Sequence, residues 1–247
     1  MALTPPTALP CGLLALALVA PVNAAPACSA RSAATVTPVI ELYTSEGCNS
    51  CPPADRWLSA VKADAPVVAL AFHVDYWDRL GWKDRFASAA FTQRQAEQQR
   101  SSGARFSYTP QVIIDGADRP DWPGAAVAAR ARPAASVDAQ LARDGNHVTA
   151  TVTPLPGAPT RLAGYWAVTE QSHASAVKAG ENEGVTLHHD FVVREYRPVA
   201  AWTVKSDPAT LQFDMAGATD PAHPRQVNLV IVNADTGRPV QAVKLGC

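Results

Sequence analysis

Apolar positions divide the chain into two stretches of different rhythm. Over residues 36–132, unbroken apolar runs alternate with helical spacings. Residues 39–43 (Val-Ile-Glu-Leu-Tyr) predict a strand. Ala54, Trp57, Leu58 and Val61, at i, i+3, i+4 and i+7, predict one buried face of a helix. Residues 67–72 (Val-Val-Ala-Leu-Ala-Phe) are apolar throughout, the pattern of a strand covered on both faces. A strand–helix–strand order predicts a right-handed crossover and parallel pairing. An aromatic loop from Tyr76 to Trp82 follows, then a polar helix opened by a capping box at Thr92 and Gln95 and running to about Arg100. Residues 111–114 read as a further strand, turned by Asp115-Gly116, and residues 125–132 as a closing helix.

After Pro133 the rhythm changes. Strand-like runs recur at 147–153, 162–169, 191–196, 209–213, 227–233 and 240–245, with turn chemistry such as Asp144-Gly145-Asn146 and Asp235-Thr236-Gly237 between them. The expected fold class is therefore an α/β domain over 36–133, with a helical insert near 76–107, followed by an all-β, sandwich-like domain over 136–247.

Charge and the N-terminal segment narrow the setting. The 247 residues carry a formal net charge of −1, so there is no electrostatic reason to expect nucleic acid as a partner. Residues 13–22 are apolar but too few to span a bilayer as a helix, and small residues follow at 23–27. This reads as a signal segment over 1–25, cleaved near Ala24 or Ala25, although residues 1–12 hold no Lys or Arg. The alternative is an uncleaved anchor. A secreted or periplasmic protein with no transmembrane span after cleavage is expected.

That compartment changes how cysteine is read. Cys11 leaves with the signal, and Cys28, Cys48, Cys51 and Cys247 remain, an even set that suggests disulfides. If Cys48 and Cys51 pair, Cys28 and Cys247 are left to staple the termini. Closing so long a loop stabilises by up to about 5 kcal/mol in the chain-entropy picture. The rival reading makes Cys28 a lipid-acylation site.

Cys48-Asn49-Ser50-Cys51 carries the candidate chemistry. Pro52 and Pro53 suit a first helical turn, where an N–H is not needed, with Asn49 or Ser50 as the cap. Cys48 is then expected outside the helix N-terminus, exposed and attacking, and Cys51 inside the first turn as the resolving thiol. Such a position lowers a cysteine pKa from about 8.5 into roughly 3.5–7.5. The competing readings are an inert disulfide and half of a zinc site. No second C-x-x-C and no finger-like histidine spacing accompany the pair, which weighs against zinc.

Four blocks carry a family resemblance: S-E-G-C-N-S-C-P-P-A-D (45–55), H-V-D-Y-W-D-R-L-G-W-K-D (73–84), Y-T-P-Q-V (108–112) and G-E-N-E-G (180–184). Residues 39–53 resemble the active-site entry of the thioredoxin/glutaredoxin superfamily. The combination more narrowly resembles an exported bacterial family catalogued as a domain of unknown function, number 1223. The resemblance implies a thioredoxin-like first domain and dithiol–disulfide chemistry, with no cofactor. It implies a cis bond at Thr109-Pro110, with Pro110 lying against the C-x-x-C. It also implies that a buried acid on the first strand relays a proton to the resolving thiol. Glu41 is the candidate, a carboxylate inside an apolar run, seven residues before Cys48 and one more than the thioredoxin spacing.

His73 ends the 67–72 run at the sheet edge shared with Cys48, where it and Asp75 could tune the thiolate. Its competing reading is a hydrogen-bonded structural residue. Trp77 and Trp82 read either as an apolar lip or as packing. His188, His189 and Asp190 read as surface polar residues, and residues 180–184 as a loop.

The function expected is an exported thiol–disulfide oxidoreductase acting on a protein or small thiol/disulfide substrate, with Cys48 and Cys51 reacting and Pro110, Glu41 and His73 in support. One alternative is a protein that binds a soft metal such as Cu(I) through Cys48, Cys51 and His73. The other is a non-catalytic thioredoxin-like binding module. No feature of the sequence encodes an oligomeric state.

Overall fold

Strands dominate the chain. A computed structural model describes residues 1–2, 28–125, 127, 130–217 and 220–247. In order, the elements are β1 (Cys28–Arg31), β2 (Val39–Thr44), α1 (Pro52–Ser59), β3 (Val68–His73), α2 (Ala89–Ser102), β4 (Gln111–Ile114), β5 (Ala117–Asp118) and β6 (Val137–Asp144). Then come β7 (His147–Pro154), β8 (Arg161–Glu170), β9 (His173–Ala176), β10 (Thr186–His189), β11 (Val192–Thr203), β12 (Ala209–Asp214), β13 (Arg225–Asn233) and β14 (Pro239–Leu245). Most of the expected signal segment lies outside the described residues, as do residues 126, 128 and 129 of the expected closing helix.

The expectation of an α/β thioredoxin-like domain followed by a separate all-β domain is corrected by the sheet topology. The strands form one eight-stranded mixed sheet in the order β14-β13-β8-β11-β3-β2-β4-β5, a four-stranded sheet β1-β6-β7-β12, and an isolated pair β9-β10. Parallel pairing of Val192 with Ala71 fuses the N-terminal strands into the sheet of the C-terminal half. The protein is thus mostly β, and α1 and α2 are accessories to a sheet rather than layers of an α/β unit.

Alternation along the central strands builds two cores on opposite faces of the large sheet. Leu162, Trp166 and Val168 of β8 and Val227, Leu229 and Ile231 of β13 face Leu141, Val148, Ala150 and Phe213 of the smaller sheet, with Trp166 stacked on Phe213 at 5.3 Å. The intervening Tyr165, Ala167 and Val230 join Tyr43, Leu70 and Phe72 on the other face, where Phe91 of α2 covers them. Ile40, Leu42, Ala69 and Ala71 point away from that layer and receive Ala54 and Leu58 of α1. Cys28 and Cys247 are disulfide-bonded, tying β1 to the residues after β14.

The capping box expected at Thr92 is not the start of α2. Ser88 caps the helix, its hydroxyl accepting from Ala90 N. Thr92 and Gln95 make tertiary bonds instead, the first donating to Asp75 Oδ1 at 2.6 Å and the second to Gln111 Oε1 at 2.9 Å.

Candidate functional site

The loop between β2 and α1 folds on short local bonds. Cys48 N donates to Ser45 O and Cys51 N to Cys48 O, both at 3.2 Å. Pro52 and Pro53 take the first helical positions, and the helix is capped by Cys51 rather than by Asn49 or Ser50. The carbonyl of Cys51 accepts from Ala54 N and Asp55 N. Ser50 Oγ lies 3.4 Å from Cys48 Sγ instead of capping. Cys48 and Cys51 are disulfide-bonded, which puts the disulfide ring at the positive end of α1.

Exposure differs from expectation. Cys48 and Cys51 are both at 0 %, whereas Asn49 and Ser50 between them are exposed. The loop joining β9 to β10 is docked on this segment. Asn182 Nδ2 donates to Glu46 O at 2.9 Å and to Cys48 O at 3.0 Å, and Asn49 N donates to Glu181 Oε2 at 3.2 Å. Residues 180–184, legible only as a loop, are therefore a clamp on the cysteine loop. A Cβ at Gly47 would stand 3.0 Å from the Cβ of Trp77, an approach a larger residue keeps only if Trp77 shifts. Trp77 Nε1 donates to Thr109 Oγ1 at 2.8 Å, and Trp82 Nε1 to Glu46 Oε2 at 2.7 Å. Both indoles anchor the loop rather than forming a free apolar lip.

The Thr109–Pro110 bond is cis. Gln111 pairs with Tyr43, so Pro110 falls beside Thr44, the last residue before the cysteine loop. His73 pairs with Thr44 on the other side and points to the α1 face of the sheet. There it joins a buried polar pocket. His73 Nδ1 lies 2.7 Å from Asp84 Oδ2, which also accepts from Glu46 N at 2.9 Å. The His189 ring stands 4.9 Å from the His73 ring, with its Nε2 3.4 Å from Glu46 Oε1 and its Nδ1 3.9 Å from Asp55 Oδ1. Thr44 Oγ1 donates to Asp55 Oδ2 at 3.1 Å.

Burial and charge set the protonation of this pocket. Burial pushes the His73 pKa down, but the Asp84 carboxylate outweighs it and the net shift is upward. Burial likewise opposes ionisation of Asp84, yet His73 holds its pKa at about 2. Asp55 is raised, by burial first, with His189 and His73 opposing. For Glu46 burial is again the largest influence and raises it, while the neighbouring His189 and the bond from Trp82 bring the net shift below the usual carboxylate range. Among the described residues, no three His, Cys, Asp or Glu side chains are arranged to hold a metal ion. His73 is committed to Asp84.

Glu41 lies elsewhere. It shares a sheet face with Tyr43, opposite the Ile40 and Leu42 face that receives α1. Tyr43 and Tyr165 donate to it at 2.6 Å each, Arg94 Nη2 at 2.7 Å and Gln98 Nε2 at 3.0 Å. The structure brings Cys48, Cys51, Pro110 and His73 to one end of the sheet and leaves Glu41 in a separate network.

Glu46, Asp55, Asp84 and His189 of the pocket escaped the sequence reading. Asp55 stands four residues after Cys51, which on a helix puts both on one face, and its side chain leans toward the N-terminus. His189 was expected at the surface, but it is buried while His188 is exposed. Leu187, two residues earlier on the same strand face, is the signal that could have found it.

A family model described as "Protein of unknown function (DUF1223)" matches residues 39–233. An X-ray crystal structure of a protein from Agrobacterium tumefaciens is similar with a TM-score of 0.61 and 27% identity, over 85% of this chain and 94% of that one. HBP35 of Porphyromonas gingivalis is similar in fold, with a TM-score of 0.58 at 14% identity, over 86% of this chain and 76% of that one. No curated protein matches the chain.

Proposed function

The chain belongs to the DUF1223 family, and from that premise we propose that it is an exported thiol–disulfide oxidoreductase working through Cys48 and Cys51. The observation that carries the reading is the disulfide ring at the N-terminus of α1, one helical turn from the buried Asp55. A helix N-terminus favours thiolate over thiol, and a buried acid with a raised pKa exchanges protons nearer neutral pH than an exposed one.

A substrate thiolate attacks Cys48 Sγ, a substrate–Cys48 bond forms, the Cys48–Cys51 bond breaks, and Cys51 leaves as thiolate. The second substrate thiolate then attacks the substrate sulfur of the mixed disulfide. Cys48 thiolate is released and two electrons have passed from substrate to protein; reduction of a substrate disulfide is the reverse. Asp55 supplies or accepts the proton at Cys51, with Thr44 Oγ1 donating to its carboxyl. His73 holds Asp84, and Asp84 in turn fixes Glu46 two residues before Cys48. Pro110 falls beside Thr44 at the start of the cysteine loop, and in this reading the substrate chain lies along it.

Oxidation of a synthetic dithiol peptide by the full chain tests the reading. Turnover is expected in the parent and lost in Cys48→Ala; equal turnover in both contradicts it.

A further inference from the structure

We propose that the β9–β10 hairpin is an autoinhibitory strap, which must swing off the cysteine loop before either sulfur can be attacked. The inference rests on the oxidoreductase reading for its purpose, since it concerns access to the same two atoms. Its physical content is independent of turnover.

Four observations carry it. Both cysteines are at 0 % exposure, although the loop that holds them reaches the surface at Asn49 and Ser50. A thiolate needs an open line to the sulfur it attacks, so this closed arrangement cannot react as it stands. The closure is made by Asn182 on the carbonyls of Glu46 and Cys48 and by Glu181 on Asn49 N.

The hairpin pairs with neither large sheet. A lone two-stranded hairpin is marginal in water, and its hold depends on what it buries. This one buries His173, Ser175, Asn182 and His189 alongside only Val177 and Leu187 from its strands and loop. A mostly polar contact contributes little hydrophobic stabilisation and separates at low cost, the mark of a segment that opens locally.

Both ends of the hairpin carry left-handed backbone at residues other than glycine. Ser172 has φ 61° and Phe191 φ 55°, the second unusual for a bulky side chain. They immediately flank the 173–190 segment. The base is closed on itself by Ser172 N donating to Asp190 Oδ1, and is held to the large sheet by Ala71 N of β3 donating to Phe191 O. The result is a held base with a strained residue on either side and a polar tip bonded to the cysteine loop.

Reduction of Cys48–Cys51 by dithiothreitol in the full chain, read as the maleimide mass shift over time, tests the strap. One reagent sulfur bonds to Cys48 as the protein disulfide breaks and Cys51 takes a proton; the second closes the reagent's ring and frees Cys48. Asn182→Ala removes two hydrogen bonds that hold only the closed state. It should raise the second-order rate about tenfold. A rise of less than threefold overturns the proposal. Amide exchange of the parent protein decides the matter even if the variant does not fold. The bonded amides of Cys48 and Cys51, buried while the strap is closed, should exchange at least about 100-fold faster than those of β8 and β13. Equal protection overturns the strap. A parent protein that shows both behaviours but turns over no dithiol would sink the oxidoreductase reading alone.

Discussion

Arg94→Met isolates the buried ion pair that fastens α2 to the large sheet. Arg94 Nη2 lies 2.7 Å from Glu41 Oε1, with the two side chains 11% and 2% exposed. Removing the cation leaves a carboxylate in a site that water does not reach. Breaking such a pair by deleting one partner costs about 3–5 kcal/mol. Tyr43, Tyr165 and Gln98 still donate to Glu41, which argues for the low end. The guanidinium also stands 4.2 Å from the centre of the Tyr165 ring, and that contact adds about 1 kcal/mol. A loss of about 3–4 kcal/mol lowers the melting temperature by roughly 6–15 °C in a chain of this size. Urea unfolding of the parent, Arg94→Met, Glu41→Gln and the double variant supplies the cycle. The double variant should be less damaged than the sum of the singles by about 2 kcal/mol, because no unpaired charge remains. A single-variant loss below about 1 kcal/mol, or strict additivity, refutes the reasoning.

The His73–Asp84 pair gives stability a defined pH window. His73 has a raised pKa, so its contribution is complete below about pH 6.5 and is lost as pH climbs through the raised value; Asp84, held at about 2, contributes above about pH 4 and loses it as pH falls toward 2. Asp84→Asn should flatten both limbs of the urea midpoint against pH and cost about 2 kcal/mol at pH 5; unchanged limbs contradict the pairing. Asp55→Asn removes a buried carboxylate whose ionisation burial opposes. Dithiol turnover should fall about 10²-fold while thermal stability at pH 7 holds or rises; full turnover removes Asp55 from the proton path. Gly164→Ala should cost about 1–3 kcal/mol in urea unfolding, because its Cβ would stand 2.7 Å from Val230 O across the β8–β13 ladder; a neutral result would mean that the ladder yields there.

Strand positions were legible where turn chemistry bounded an alternating run, as in β7, β8, β12, β13 and β14. The helix α1 was legible from Pro52-Pro53 and the Ala54, Trp57, Leu58 spacing. What joins these pieces was not. The pairing of Ala71 with Val192 links residues far apart in the chain, and neither local pattern encodes the other, so one continuous sheet reads as two domains. The strands β9 and β10 are short and partly polar, and their pairing is invisible to any period count. Glu41 looked like a relay because sequence spacing ignores sheet faces. Sharing a face with Tyr43 turns it toward Arg94 rather than toward α1. The dithiol, the neighbouring Thr109-Pro110 segment and His73 were legible, because their residue types are uncommon at strand ends. The burial of the two cysteines was not, and neither was the bond that Asn182 makes to Cys48 O from more than a hundred residues away.

The reduction potential of Cys48–Cys51 tests the working dithiol most directly. The full chain is equilibrated in thiol–disulfide buffers, and each cysteine pair is scored by its maleimide mass shift, with Cys28–Cys247 as an internal structural reference. A working pair should titrate between about −120 and −270 mV, well above the reference. A value below about −300 mV, together with Cys28–Cys247, would make Cys48–Cys51 a structural clip and contradict the account.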